Sequence, residues 1–166
     1  MNDRLTQSDI DKMQKEIEYR KLELRKQLLE DVKEARSHGD LSENFEYYAA
    51  KRDKNKNESR IRYLERMIKN ANIVSDQSKD GEVGINKTVE LYFEEDDETE
   101  RFKITTSVRG NSLGGNISIE SPIGKAVMGH KVGDRVQVVV NENVSYYVVI
   151  KSIENSSDED DAIRSF

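Results

Sequence analysis

The chain has 166 residues, 34% hydrophobic and 36% charged, with no cysteine and a formal net charge of −6. No cysteine means no disulfide framework and no thiolate metal site, and the reducing cytoplasm is the expected compartment. No run approaches the ~20 apolar residues of a membrane span, and an acidic chain is a poor general binder of duplex DNA, whose affinity rests on neutralised phosphates.

The charge is unevenly spread. Met1–Val74 carries 17 basic against 15 acidic residues, a balance of +2, and Ser75–Phe166 carries 10 against 18, a balance of −8. Met1-Asn2-Asp3-Arg4 leads into polar sequence with no signal-peptide core, and residues 1–7 read as a loose start. Ser8 offers an N-cap, with Asp9 and Asp11 in the first turn, where the helix dipole favours negative charge. Ile10, Met13, Ile17 and Leu24 then recur at heptad spacing, and Leu28, Val32 and Ala35 continue the stripe after a small shift. Arg20 and Asp31 interrupt this seam. About 30 residues of helix would span ~45 Å.

Gly39 can end this helix in the left-handed conformation. Asp40 can start a second, running to about Ala71, with Tyr47, Ala50, Ile61, Leu64, Ile68 and Ala71 in alternating steps of three and four. Lys54 and Asn57 occupy the seam between them, polar positions that cost stability but fix pairing. So short a turn makes the helices antiparallel. Asp40 and Glu43, three apart, would share one side of the first turn. The pair reads either as a near capping box or as two carboxylates held at the end of a rod. From Lys51 to Lys69 there are eight basic residues against three acids. That face is either solvated surface or a stripe that guides nucleic acid.

Ser75–Gly84 is polar and without period, and beyond it the period becomes two. Strands are expected over 88–93, 100–105, 116–119, 136–140 and 146–150. Glu94–Glu98 forms the turn of a first hairpin, and Asn141-Glu142-Asn143 that of a second. Ser121 as cap, Pro122 at the first helical position and Gly129 as terminator predict a short helix between them. Asn155–Phe166, with Asp158-Glu159-Asp160-Asp161, reads as a mobile acidic tail without a role. His38 and His130 have no His or Cys partner at ligand spacing. Gly110–Gly115 lacks the Gly-Lys-Ser/Thr ending of a phosphate loop and reads as a turn.

Gly39-Asp40-Leu41-Ser42-Glu43-Asn44-Phe45-Glu46-Tyr47-Tyr48-Ala49-Ala50-Lys51 closely resembles the tip signature of the Gre family of bacterial transcript cleavage factors. Ser121-Pro122-Ile123-Gly124-Lys125-Ala126-Val127-Met128-Gly129 and Gly133-Asp134-Arg135-Val136 resemble that family's C-terminal domain. The resemblance implies an α+β protein: an antiparallel coiled-coil hairpin over 1–75 with its acidic tip at 39–47, a linker at 76–80, an FKBP-like polymerase-docking domain over 81–154 and the tail from 155.

It further implies a monomer that enters the secondary channel of bacterial RNA polymerase and promotes cleavage of backtracked RNA at its 3′ end. Asp40 and Glu43 would be supplied to the polymerase active site and hold a Mg²⁺ shared with it, with no cofactor and no catalytic centre in the isolated chain. Asn44, Glu46 and Tyr47 would support the tip, and Arg36, Lys51, Arg52, Lys54 and Arg60 would guide RNA. Ser121, Pro122 and Ile123 would dock. Phe45 and Tyr48 depart from the usual tip, and Ser107-Val108-Arg109-Gly110-Asn111 stands where the family commonly carries an acidic cluster. A channel binder that inhibits polymerase and a coiled-coil adaptor unrelated to it remain the alternatives; the acidic pair speaks against the first.

Overall fold

The computed structural model describes residues 3–39 and 44–165. They divide into two units: a helical one, comprising mainly Ser8–Ala71, and a second comprising Arg4–Gln7 and Asn72–Ser165.

In the helical unit, α1 (Gln7–Tyr19) runs through a single π-helical stretch, Arg20–Leu24, into α2 (Arg25–Arg36), and α3 (Phe45–Lys69) returns. The seam explains the stretch. From Leu24 to Leu28 to Val32 the apolar positions advance by four and four, one residue more than a heptad allows, and a π-turn absorbs one extra residue. Asn57 holds it there. Its Nδ2 donates to the main-chain oxygen of Arg20 at 3.2 Å, the same oxygen that receives the Arg25 N–H closing the π-turn. The Arg20 guanidinium donates back to Asn57 Oδ1 at 2.9 Å.

Cross-links elsewhere run in opposite order along the two helices, Glu16 with Arg60, Arg20 with Asn57 and Ala35 with Asn44, so the hairpin is antiparallel. Ile10, Met13, Ala35, Ile61 and Leu64 are buried, as the stripes require, and Asn57 and Arg60 are buried with them. A buried ionic layer contributes little net stability but disfavours slipped pairings, which would strand a charge in apolar surroundings.

Two boundaries differ from expectation. The second helix begins at Phe45 with Asn44 as its cap, five residues after the expected start at Asp40. Asp40, Leu41, Ser42 and Glu43 lie outside the described residues. The supposedly loose start contains a strand, β1 (Arg4–Leu5), paired in parallel with β2 (Asn72–Ile73), and Leu5 is fully buried. Burial of one leucine and a continuing hydrogen bond from Val74 N–H to Leu5 O, 2.8 Å, hold this start in place.

The second unit is a mixed five-stranded sheet in the order β5-β4-β3-β7-β6, formed by β3 (Lys87–Phe93), β4 (Glu98–Thr105), β5 (Asn116–Ser118), β6 (Arg135–Val139) and β7 (Ser145–Asn155). Both predicted hairpins form, β3 with β4 around the acidic turn and β6 with β7. The parallel β4–β5 pair needs a crossover, and the irregular 106–115 segment supplies it. Alternating side chains of these strands, including Val89, Leu91, Ile104, Val136, Val138, Val148 and Ile150, build one core with Val83, Ile85 and Val127.

Helix α4 (Pro122–Val127) covers this core. Ser121 Oγ accepts from the Gly124 N–H at 3.1 Å, Pro122 opens the helix, and Gly129 follows it at φ +79°. Gly124 is required by proximity: a Cβ there would lie 2.0 Å from the main-chain oxygen of Ser118.

Candidate functional site

The end of the hairpin is braced on both sides of residues 40–43. On the first strand of the hairpin, α2 closes at Ser37, His38 N–H donates to Ala35 O at 3.2 Å, and Gly39 takes φ +110°, the conformation expected of it. On the second, Asn44 is extended and its Oδ1 accepts the Tyr47 N–H at 3.0 Å, satisfying one of the free donors of α3. The other end of the same amide reaches back: Asn44 Nδ2 donates to Ala35 O at 2.7 Å. Glu46 Oε2 lies 2.8 Å from His38 Nδ1, a second link across the turn.

Tyr47 completes the brace. The Arg36 guanidinium lies 5.6 Å from its ring centre, a cation–π distance. A hydrogen bond from Arg36 also holds the Tyr47 phenol below its ordinary titration range, helped by the charges of Lys51, Arg36 and Lys54. The residues expected to support the tip, Asn44, Glu46 and Tyr47, thus each make a specific contact near it. Phe45 projects into solvent with 85% exposure, and Tyr48 is exposed beside it. No group of three or more His, Cys, Asp or Glu able to hold a metal occurs among the described residues.

The basic stripe is smaller than its sequence suggests. Arg36, Lys51 and Arg52 are exposed and Lys54 is half-buried. Arg60 is a correction: it is buried and donates to both oxygens of Glu16, at 2.8 and 3.1 Å, so its guanidinium is committed inside the hairpin. Burial pushes the Glu16 carboxyl upward, but hydrogen bonds from Arg60 and Arg20 overcome it and hold Glu16 below the usual carboxylate range. Sequence reasoning missed this pairing, although both residues sit along the apolar stripes.

In the second unit, Ser121 spends its hydroxyl locally, donating to Ser118 O at 2.6 Å while capping α4, and Ile123 packs against the core. Pro122 is the exposed member of the trio. His130 Nδ1 lies 3.0 Å from Asp134 Oδ2. The acidic tail is not loose: Ser156, Asp161 and Arg164 are hydrogen-bonded to the rest of the second unit.

A two-helix hairpin whose facing ends are cross-linked, joined in sequence to a mixed sheet with one capped helix, defines a class of two-part α+β proteins. Comparison with known proteins gives the family. Residues 4–73 match "Transcription elongation factor, N-terminal" and residues 77–155 match "Transcription elongation factor, GreA/GreB, C-term". The chain is 42% identical over 137 residues to the transcription elongation factor GreA of Thermoanaerobacter pseudethanolicus, covering 82% of this chain and 87% of that one. It is 38% identical over 147 residues to GreA of Thermotoga maritima, covering 89% and 94%. Among solved structures it matches the transcription factor Gfh1 with a TM-score of 0.45 and 24% identity, over 92% of this chain and 97% of that one. The chain belongs to the GreA/GreB family of transcription elongation factors. No helix of the described residues is long and apolar enough to cross a membrane.

Proposed function

We propose that this elongation factor binds bacterial RNA polymerase, inserts its hairpin into the secondary channel and stimulates cleavage of backtracked RNA, restarting arrested complexes. The observation that carries this reading is the near-continuous tip signature Gly39–Lys51 together with the fixing of its flanks, Asn44 on Ala35 and Tyr47 under Arg36. Flanks already fixed, Asn44 on Ala35 and Glu46 on His38, lower the ordering cost of docking the two helix ends at a foreign active site.

Asp40 and Glu43 offer carboxylate oxygens, the donor type Mg²⁺ takes. Two side chains cannot complete an octahedral set, so water and polymerase groups would supply the rest, and the ion would be shared. Such an ion, when bound, activates water and steadies a leaving oxygen. Asp40 and Glu43 would orient it, Asn44, Glu46 and Tyr47 would hold the turn, and Arg36, Lys51, Arg52 and Lys54 would attract the extruded RNA. Ser121, Pro122 and Ile123 would form part of the docking surface. The isolated chain would work as a monomer with no catalytic centre of its own, in the cytoplasm where polymerase resides.

The test is RNA cleavage in a halted, backtracked complex with wild-type protein and the Asp40→Asn, Glu43→Gln double variant. The variant should still compete with wild type for core polymerase and lose most stimulated cleavage, with partial recovery at high Mg²⁺ by mass action. Asn44 already caps α3, so the loss would not reflect a missing cap there. Full cleavage by the double variant refutes the metal role. Failure of the wild type to bind core polymerase refutes the partner, and binding that slows polymerase without cleavage favours the inhibitory reading.

A further inference from the structure

The matched GreA/GreB domain ends at residue 155, and the chain continues for eleven residues. The described residues of that continuation are anchored from Ser156 to Arg164. Ser156 N–H donates to Asn86 O at 2.9 Å, and the Ser156 hydroxyl is hydrogen-bonded to that of Thr88. Lys103 Nζ donates to Ser157 O. Near the end, Arg164 N–H donates to Val108 O at 2.8 Å.

Asp161 is the centre of this attachment. Its carboxylate receives Lys103 Nζ at 2.9 Å, Arg109 Nη1 at 2.9 Å and Asn116 Nδ2 at 3.1 Å. The three donors come from β4, the 107–109 turn and the start of β5, segments brought together by the crossover. Arg109 is fully buried, with its side chain at 0% exposure, and the Asp161 side chain is 7% exposed. A guanidinium taken out of water is costly unless an anion meets it with good hydrogen-bond geometry. Arg109 Nη1 is also fixed from the other side by Asn86 Oδ1 at 2.7 Å, so the donor is aimed at the carboxylate. The neighbouring Glu159 and Asp160 are exposed. Asp161 is therefore set apart from Glu159 and Asp160 by geometry, and not by bulk charge.

We infer that Lys103, Arg109 and Asn116 form a carboxylate-binding socket on the sheet domain, and that its ligand is Asp161 of the chain's own acidic C-terminal segment. Residues 156–165 are thus a strap that ties β4, the crossover and β5 together, not a solvated tail. The socket takes a carboxylate on an extended acidic peptide, and in this chain that peptide is supplied in cis.

The test is hydrogen exchange on the full-length protein, comparing wild type, Asp161→Asn and Asp160→Asn. Asp161→Asn should raise exchange at least tenfold at the Ser156 and Arg164 amides. Asp160→Asn, which makes the same change in net charge, should leave both at the wild-type rate. Wild-type protection in a folded Asp161→Asn chain overturns the socket, and equal acceleration by both variants reduces it to a net-charge effect and overturns it too. If Asp161→Asn fails to fold, Lys103→Met, which removes the least buried of the two cations, carries the test. A rise at both amides in that variant supports the strap, and unchanged protection there refutes it.

Discussion

Asn44 hydrogen-bonds both sides of the hairpin turn: its amide nitrogen donates to Ala35 O at the end of α2, and its amide oxygen caps α3 through the Tyr47 N–H. One side chain thus ties the end of one helix to the start of the next, from outside the acidic pair. Asn44→Ala should lower the stability of the hairpin by about 1–3 kcal/mol, combining a lost cap and a lost hydrogen bond. Asn44→Asp keeps the cap and loses the donor to Ala35, so its cost should be smaller, yet stimulated cleavage should fall in both. Thermal melting beside a cleavage assay separates the two effects; cleavage unchanged in both variants would remove Asn44 from tip support.

The Glu16–Arg60 pair should make the hairpin pH-sensitive. The folded-state carboxyl of Glu16 is held below its ordinary value of 4.5, so its contribution is present above that value and is lost as pH falls through the lower folded value. Helical melting temperature should therefore drop on acidification below about 4.5, and Glu16→Gln should flatten that part of the profile. Arg60→Met, which leaves the Glu16 carboxylate with Arg20 alone, should cost about 1–3 kcal/mol at neutral pH. An identical acid profile for wild type and Glu16→Gln would show that the pair does not carry the sensitivity.

The reduced basic stripe gives a sharper test than charge reversal of the whole helix. Lys51→Glu with Arg52→Glu should weaken crosslinking to a backtracked transcript, and the difference from wild type should shrink as salt rises. Stability should stay close to wild type because both side chains are exposed. Crosslinking equal to wild type at low salt would leave these charges as solvated surface.

Gly124 is the steric key of the capped helix. Gly124→Ala places a methyl group against the Ser118 carbonyl, where the backbone rather than a flexible side chain must yield. The sheet unit should lose about 1–3 kcal/mol, as overpacked sites do. Denaturant unfolding followed by a sheet-specific signal checks this, and a variant as stable as wild type would mean that α4 shifts freely away from β5.

Local chemistry was legible in the chain wherever period or a special backbone was at stake. Heptad spacing marked Ile10, Met13, Ile61 and Leu64 for burial, alternation marked the two β-hairpins, and Ser121-Pro122 with Gly129 marked α4, because each depends on neighbours a few residues away. The polar residues could not be read in the same way. Asn57 announced itself as a polar seam position, but its seat on the Arg20 carbonyl exists only because a π-turn opens there against the opposing helix. Arg60 belongs by charge to an exposed stripe and by geometry to Glu16, 44 positions away. Asp161 belongs by composition to a solvated tail and by geometry to Lys103, Arg109 and Asn116. Composition and spacing mark the segments that become the long helices and the hairpin strands, but not the short β1–β2 pair. Which charge is buried, and against which partner, is decided by the tertiary structure, because a charge leaves water only where the fold brings a counter-charge and donors from distant segments to one point.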